Sequence, residues 1–529
     1  MKTFLTLNLI AAAALMTAGL AQAQNIEKLK QMKVATTDLN IPLVPQTGKN
    51  ADQIRENLKN IKLPPGFKID LYAVVPDARH MAVAPSTNML FVGTRKTTVW
   101  AVTNRNSGDT ATEVKSFAPS LKFSNPNGVC WTKDGFLIVA EHNRVLTFPA
   151  AEFFYEGPDV AVGEVVSQGK LVPPDEESYN HGARTCRVSD DGKLYVTLGQ
   201  PYNVQPREKV AMYEELGIGG MVRMNLDGSG REVVARGVRN SVGMDINPKD
   251  KTVWFTDNQT DGMGDGTPPG ELNHITKAGG EHFGYPFIHG NNTPIAGTAA
   301  APDLKGMSPP AQWTKPQIEF PAHQAQLGMT FYNGKMFPAK YQGGIFVASH
   351  GSWNSTVPTG ALVNFVSLKG DGSADKSEVF ADGFRDQNGL FRGRPVDVAV
   401  MKDGSLLISD DFAGAIYRVS YTAPSVPRAR RAGCGQCRHL PQPATVPAAS
   451  CPLHDRDVPL QTPTRRPAAG RARRACPGRR SRPHESADLC ALPRPAGPEQ
   501  PARDSQPRRP TARLHYGATA RLPRRHPTQ

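Results

Sequence analysis

A single pattern recurs six times along this chain: a hydrophobic strand, a turn, a second hydrophobic strand, then a polar residue. The copies read HMAVAPSTNMLFVGTR, NGVCWTKDGFLIVAEHN, GARTCRVSDDGKLYVTLGQ, SVGMDINPKDKTVWFTDN, LGMTFYNGKMFPAKYQGGIFVASH and RPVDVAVMKDGSLLISDD. Asp-Gly, Lys-Asp or Asn-Gly at the turns suits tight hairpin geometry. The flanking segments are rich in Val, Ile, Leu, Phe and Tyr, as strands are. Successive copies lie roughly 45 to 90 residues apart, and strand repeats at such intervals predict a β-propeller, whose four-stranded blades surround a central channel. Six copies predict an all-β, six-bladed β-propeller over residues 61–421. A β-sandwich would need six coincidental matches to one template. The widest gap, between Asn258 and His350, reads as a Gly/Pro/Asn-rich loop region.

In an antiparallel hairpin the start of the first strand neighbours the end of the second. If the six hairpins lie near the propeller axis, their open ends crowd one mouth of the channel. Those ends carry Arg79/His80 with Arg95, Asn127 with Glu141, and Asn180/His181 with Gln200. They continue with Arg239/Asn240 and Asp257/Asn258, His323/Gln326 and His350, and Arg394 with Asp410/Asp411. One such residue is ordinarily a cap or a solvated group; six sets in register predict a polar pocket for an anionic ligand and a metal. Arg239, Arg392 and Arg394 are candidate carboxylate or phosphate clamps. Arg392 is the weakest of them, because strand alternation can turn it to solvent. Asp257, Asn258 and nearby Glu271 are hard oxygen donors beside DNQTDGMGDGTPPGE, so they suit either Ca²⁺ or a plain turn. His181 suits a general base or a hydrogen-bonded rim residue.

The ends of the chain differ from its middle. Residues 1–23, MKTFLTLNLIAAAALMTAGLAQA, have the basic start, apolar run and small-residue site of a signal peptide. No later run is long and apolar enough to span a membrane. Export to the periplasm or outside the cell is therefore expected, followed by an extension over 24–60. The net charge of +14 invites a nucleic-acid partner. Yet residues 422–529 alone hold 21 Arg, no Lys and 6 acids, which leaves the remainder near −1 and excludes that reading for the fold. The same stretch lacks Lys, Asn, Ile, Phe, Met and Trp, and is expected to be a disordered Arg/Pro/Ala-rich tail, read out of frame from GC-rich DNA. Its CGQCRH is not a haem-attachment motif, because Arg438 separates Cys437 from His439. In the body, Cys130 and Cys186 fall one position apart in the repeat. Period-2 alternation sends them to opposite faces, and two buried thiols are expected.

NHGARTCRVSDDGKLYVTLGQ, GVRNSVGMDINP, WFTDN, GGEHFGYP, VASHGSWN and GRPVDVAVMKDGSLLISDD, in this order, resemble the sorbosone/glucose dehydrogenase family. Its members are soluble six-bladed propellers that use pyrroloquinoline quinone (PQQ). HGSWN resembles the sorbosone-dehydrogenase branch more than the glucose branch. The resemblance implies oxidation of a sugar or sugar-derived aldehyde with PQQ and Ca²⁺, and an electron acceptor such as a c-type cytochrome or a quinone. It implies His181 as the base and Arg239 as the group stabilising charge beside it. It implies Asn240, Asn258, His350 and Arg394 as cofactor contacts, which Arg392 joins as a candidate clamp, and Asp257, Asn258 and Gln259 as the metal-holding residues. Gln200 stands where the glucose branch has an acid that orients the base. The alternatives are a metal-dependent lactonase or esterase on the same fold, and a propeller that only binds a carbohydrate or protein.

Overall fold

The computed structural model describes residues 33–35 and 41–423, apart from 107, 157–159 and 278. The signal segment and nearly all of the tail, including a second unit at Ala432–Gln529, lie outside the described residues.

All six repeated hairpins form, and each is the inner half of a blade with four antiparallel strands; blades 2 and 3 carry a fifth at the outer edge, the one in blade 3 being a short parallel addition at Glu281–His282. The first strands are Met81–Val83, Gly128–Trp131, Cys186–Val188, Met244–Ile246, Gln326–Phe331 and Pro395–Val400. Each contacts the next, and the sixth contacts the first, so the sheets close into a ring of six blades. The turn chemistry explains the hairpins locally. Gly404 sits at φ 86° in the Asp-Gly turn of blade 6, where a Cβ would lie 2.7 Å from the Met336 nitrogen. Only glycine fits both the torsion and the space.

The second strand of each hairpin is almost entirely buried, as in Phe346 to Ser349 and Leu406 to Asp410. Its two faces pack against the neighbouring blades, so the apolar clusters lie between blades. One joins Phe91 and Phe117 of blade 1 to Val139 and Phe148 of blade 2.

The last blade is completed from the other end of the described chain. Phe67–Val74 adds to Ala415–Tyr421 as its outermost strand, with Phe67 opposite Tyr421. The stretch before it, expected only as an extension, contributes a strand at Lys33–Ala35 on the outer edge of blade 2 and a helix at Lys49–Leu58. Ala51, Ile54 and Leu58, at helical spacing, bury that helix beside Phe380 and Phe384. The wide gap is more ordered than expected. It holds two strands of blade 4 and an excursion with its own cluster of Tyr285, Phe287, Ile295 and Leu304.

The expectation for the cysteines is overturned. Cys130 and Cys186 form a disulfide, with Cα atoms 5.9 Å apart. Alternation does send them to opposite faces of their own sheets. They sit on the first strands of neighbouring blades, however, and in a propeller the facing sides of adjacent blades are opposite faces. The bond closes a 56-residue separation. Replacing both cysteines with alanine is expected to cost about 2–5 kcal/mol, read as a lowered Tm.

Candidate functional site

The open ends of the hairpins converge as the register requires, around a cavity of about 340 Å³. His181, Arg239, Asn240, Asn258, Gln259 and His350 all line it.

His181 precedes the first strand of blade 3 and holds a left-handed φ of 55°, a torsion that costs energy in a non-glycine residue. Its Nδ1 lies 2.6 Å from the Gln200 carbonyl oxygen. A carbonyl only accepts, so Nδ1 carries the proton and Nε2 is left as a bare acceptor. Burial, and then the charge of Arg239, lower its pKa to about 3. The imidazole is thus a neutral base at ordinary pH. The Gln200 side chain, expected to orient this histidine, turns elsewhere: its Nε2 donates to the Tyr285 hydroxyl at 2.9 Å. It is the backbone at 200, not the side chain, that holds His181.

Arg239 is buried, and its guanidinium donates to the Asn203 carbonyl, the Asn203 Oδ1 and the Asp261 Oδ2, each at 2.9 Å. Asp257 lies beneath it and does not line the cavity. Its carboxylate accepts the backbone N–H groups of Arg239 at 2.9 Å and Asn240 at 2.7 Å, locking the two open ends of blade 4 together. Burial and the neighbouring Glu271 carboxylate raise its pKa to about 7. Donor atoms of Asp257, Glu271 and His289 lie within 4.8 Å of one another, all buried. Asn258 is fixed by donating to the carbonyls of Asn240 at 3.0 Å and Gln326 at 3.1 Å.

Across the cavity, one carboxylate gathers three cationic or basic groups. Asp411 accepts from Arg79 at 2.6 Å and from His350 Nε2 at 2.8 Å, with Arg95 at 3.8 Å. Burial works against its ionised form, but the His350 hydrogen bond and the two arginines hold its pKa well below the usual carboxylate range. Arg79 and Arg95 both line the cavity.

Two expected clamps are placed elsewhere. Arg392 is half-exposed and pairs with Asp386 at 2.9 Å. Arg394 also lies outside the cavity lining; it stacks on Phe391 and donates to the carbonyls of His350, Gly351 and Ser352. It shapes the strand-end backbone on which His350 sits. Sequence reasoning passed over Asp261, Asn354, Tyr179 and Trp353, which complete the wall from aperiodic loops.

The donor set has one unmet requirement and one surplus. Asn125 Oδ1, Asn240 Oδ1 and Gln259 Oε1 are buried at the cavity without a hydrogen-bond partner among the described residues. Such oxygens call for a donor or a cation. Arg79, Arg95 and Arg239 are paired with only two carboxylates, Asp411 and Asp261, so the wall keeps a surplus of positive charge that suits an anionic ligand. A polyanionic ligand accompanied by a metal ion meets both.

Fold and cavity together define a six-bladed propeller with a cationic, oxygen-lined pocket where the open ends of its inner hairpins meet. The profile of the TrAA12-like family matches residues 61–422, and the chain belongs to that family, among the PQQ-dependent sugar dehydrogenases. An uncharacterised protein of Borreliella burgdorferi is 30% identical over 381 residues, covering 69% of this chain and 92% of its own. The iodide structure of a Trichoderma reesei carbohydrate-active enzyme of family AA12 superposes with a TM-score of 0.54 at 19% identity, covering 73% of this chain and all of that one. The holo PQQ domain of pyranose dehydrogenase from Coprinopsis cinerea gives 0.55 at 16% identity, covering 68% and 97%. At these identities the solved structures speak to the fold. Among the described residues no helix is long and apolar enough to cross a membrane.

Proposed function

We propose that the chain is an exported PQQ- and Ca²⁺-dependent dehydrogenase of a sugar or sugar-derived aldehyde. The observation that carries this reading is His181: a neutral imidazole whose proton is fixed on Nδ1, leaving Nε2 unprotonated and free to accept, in a cavity shared with Arg239. When bound, PQQ supplies the hydride acceptor and Ca²⁺ the Lewis acid that polarises it. His181 takes the substrate hydroxyl proton on Nε2, and the Gln200 carbonyl keeps the ring in the productive tautomer. Arg239 stabilises the charge that develops beside it. Arg79 and Arg95 supply the carboxylate clamp, with His350 next to them. Asn240, Asn258 and Gln259 hold cofactor and metal through their oxygens, and Asp257 fixes the strand ends that carry them.

Tyr179 and Trp353, 72% and 78% exposed at the cavity, offer flat apolar faces to a pyranose ring. The electrons leave to a c-type cytochrome or a quinone.

Reconstitution tests the reading. The protein with PQQ and Ca²⁺ is expected to reduce a dye in the presence of aldoses or sugar aldehydes, and to fail when either addition is omitted. Absence of PQQ binding would move the cavity to a hydrolase or a binding role. Arg392→Ala is expected to leave PQQ affinity unchanged, because its guanidinium is spent on Asp386 outside the cavity. A tenfold loss in a binding titration would return it to the clamp.

A further inference from the structure

We propose that His289 is a positioning residue that holds the cavity wall at Gln259 and Asp261 from behind. His289 is 1% exposed, does not line the cavity, and lies in the excursion of blade 4, far in sequence from the repeated hairpins. Its Nε2 accepts the backbone N–H of Thr260 at 3.1 Å and lies 3.0 Å from the Thr260 hydroxyl. Accepting there fixes the proton on Nδ1, which donates to Glu271 Oε1 at 3.3 Å. Glu271 is itself anchored: Oε1 also accepts from the Gly290 nitrogen at 2.7 Å, and Oε2 from Asn273 Nδ2 at 2.9 Å.

The chain Glu271–His289–Thr260 therefore ends on a fully buried residue flanked by two cavity residues. On one side Gln259 presents a buried oxygen without a partner. On the other, Asp261 binds Arg239 at 2.9 Å. Segment 258–261 belongs to no strand, so no sheet ladder holds its backbone. The Asn240 carbonyl holds the Asn258 amide at 3.2 Å, the Asn203 side chain holds the Asp261 N–H at 2.8 Å and its carbonyl at 3.0 Å, and between them the imidazole holds the Thr260 amide. Partners behind a ligand that fix its orientation commonly govern affinity. The last link, from wall to cofactor, rests on the reading of the cavity as a PQQ–Ca²⁺ site.

The two nitrogens separate in two variants. In His289→Asn the side-chain amide reproduces the Nδ1–H bond to Glu271 but falls short of Thr260. In His289→Gln the longer side chain carries an oxygen to the Thr260 amide. Two measurements are made on the full chain: hydrogen exchange over 257–263 without cofactor, and binding of PQQ in a Ca²⁺ titration. Wild type and His289→Gln are expected to protect the segment alike. His289→Asn is expected to expose it and to weaken Ca²⁺-dependent PQQ binding by about 10- to 100-fold. Glu319→Ala, which removes the acceptor of the Asn291 N–H and loosens the same excursion without touching Thr260, is expected to match wild type in both.

Unchanged exchange in His289→Asn overturns the positioning role, whatever the cavity binds. Faster exchange with unchanged PQQ affinity overturns its link to the cofactor. Equal loss in the Asn, Gln and Glu319 variants shows a general loosening and also overturns it. If wild type binds no PQQ, the cofactor reading fails, and the exchange measurement still decides whether His289 holds the wall. Should His289→Asn not fold, wild-type-like protection and affinity in His289→Gln support the proposal, and their loss overturns it.

Discussion

His181→Ala is expected to lower turnover by about 10²- to 10⁴-fold, the usual contribution of a positioned general base, while PQQ binding changes little. The separation follows from the geometry. His181 touches the protein through Gln200, and the anion-seeking groups of the cavity are the arginines of blades 1 and 4. Stopped-flow reduction of bound PQQ, alongside a binding titration, reads the two quantities independently. Loss of binding with intact chemistry would make His181 a cofactor contact.

The pH dependence sharpens the test. The neutral imidazole is the active form, and its pKa is lowered to about 3 by burial and by Arg239. As pH falls, activity assigned to this base is retained through the ordinary histidine range and is lost only on approach to pH 3. An acid limb centred near the unperturbed value of about 6.5 would show that another group is the base.

Arg239→Ala is expected to be the second large effect, a drop of about 10²- to 10³-fold in kcat, as when one preorganised charge-stabilising donor is removed. PQQ affinity should weaken as well. Removal of the guanidinium leaves Asp261 without its ion pair and Asn203 without two donated hydrogen bonds. Arg239→Lys keeps the charge but cannot donate from a planar fork, so it should recover affinity more than kcat. Equal recovery of both, measured by steady-state kinetics and titration, would reduce the role of Arg239 to charge alone.

Much of this site was legible because a hairpin with a known turn has a known open end. His181, Arg239, Asn240 and His350 each stand at a fixed offset from a turn, and the ring of blades brings those offsets to one mouth. Asp261, Asn354, Tyr179 and Trp353 lie on loops without period, so no pattern placed them. Gln200 misled because the group that matters there is a carbonyl that every residue possesses. Arg392 and Arg394 both precede the strand at Pro395–Val400, so strand alternation governs neither: Arg392 turns to Asp386 and Arg394 to the carbonyls of His350, Gly351 and Ser352. The disulfide was missed because alternation was applied within one sheet, whereas the contact is between two. The helix at Lys49–Leu58 did carry its signal in Ala51, Ile54 and Leu58.

The way the ring is fastened sets a timetable. Phe67–Val74 is made early on a chain that emerges N-terminus first, but its partner, Ala415–Tyr421, is made more than three hundred residues later. Until then the early strand has no neighbour on the edge it will use, and blade 6 does not exist as a sheet. Contacts this distant in sequence form slowly, and waiting strand edges are prone to wrong pairings. The seam between Phe67–Val74 and Ala415–Tyr421 therefore cannot close before the whole propeller has been made, and a partner that shields Phe67–Val74 until then would guard the ring against mispairing.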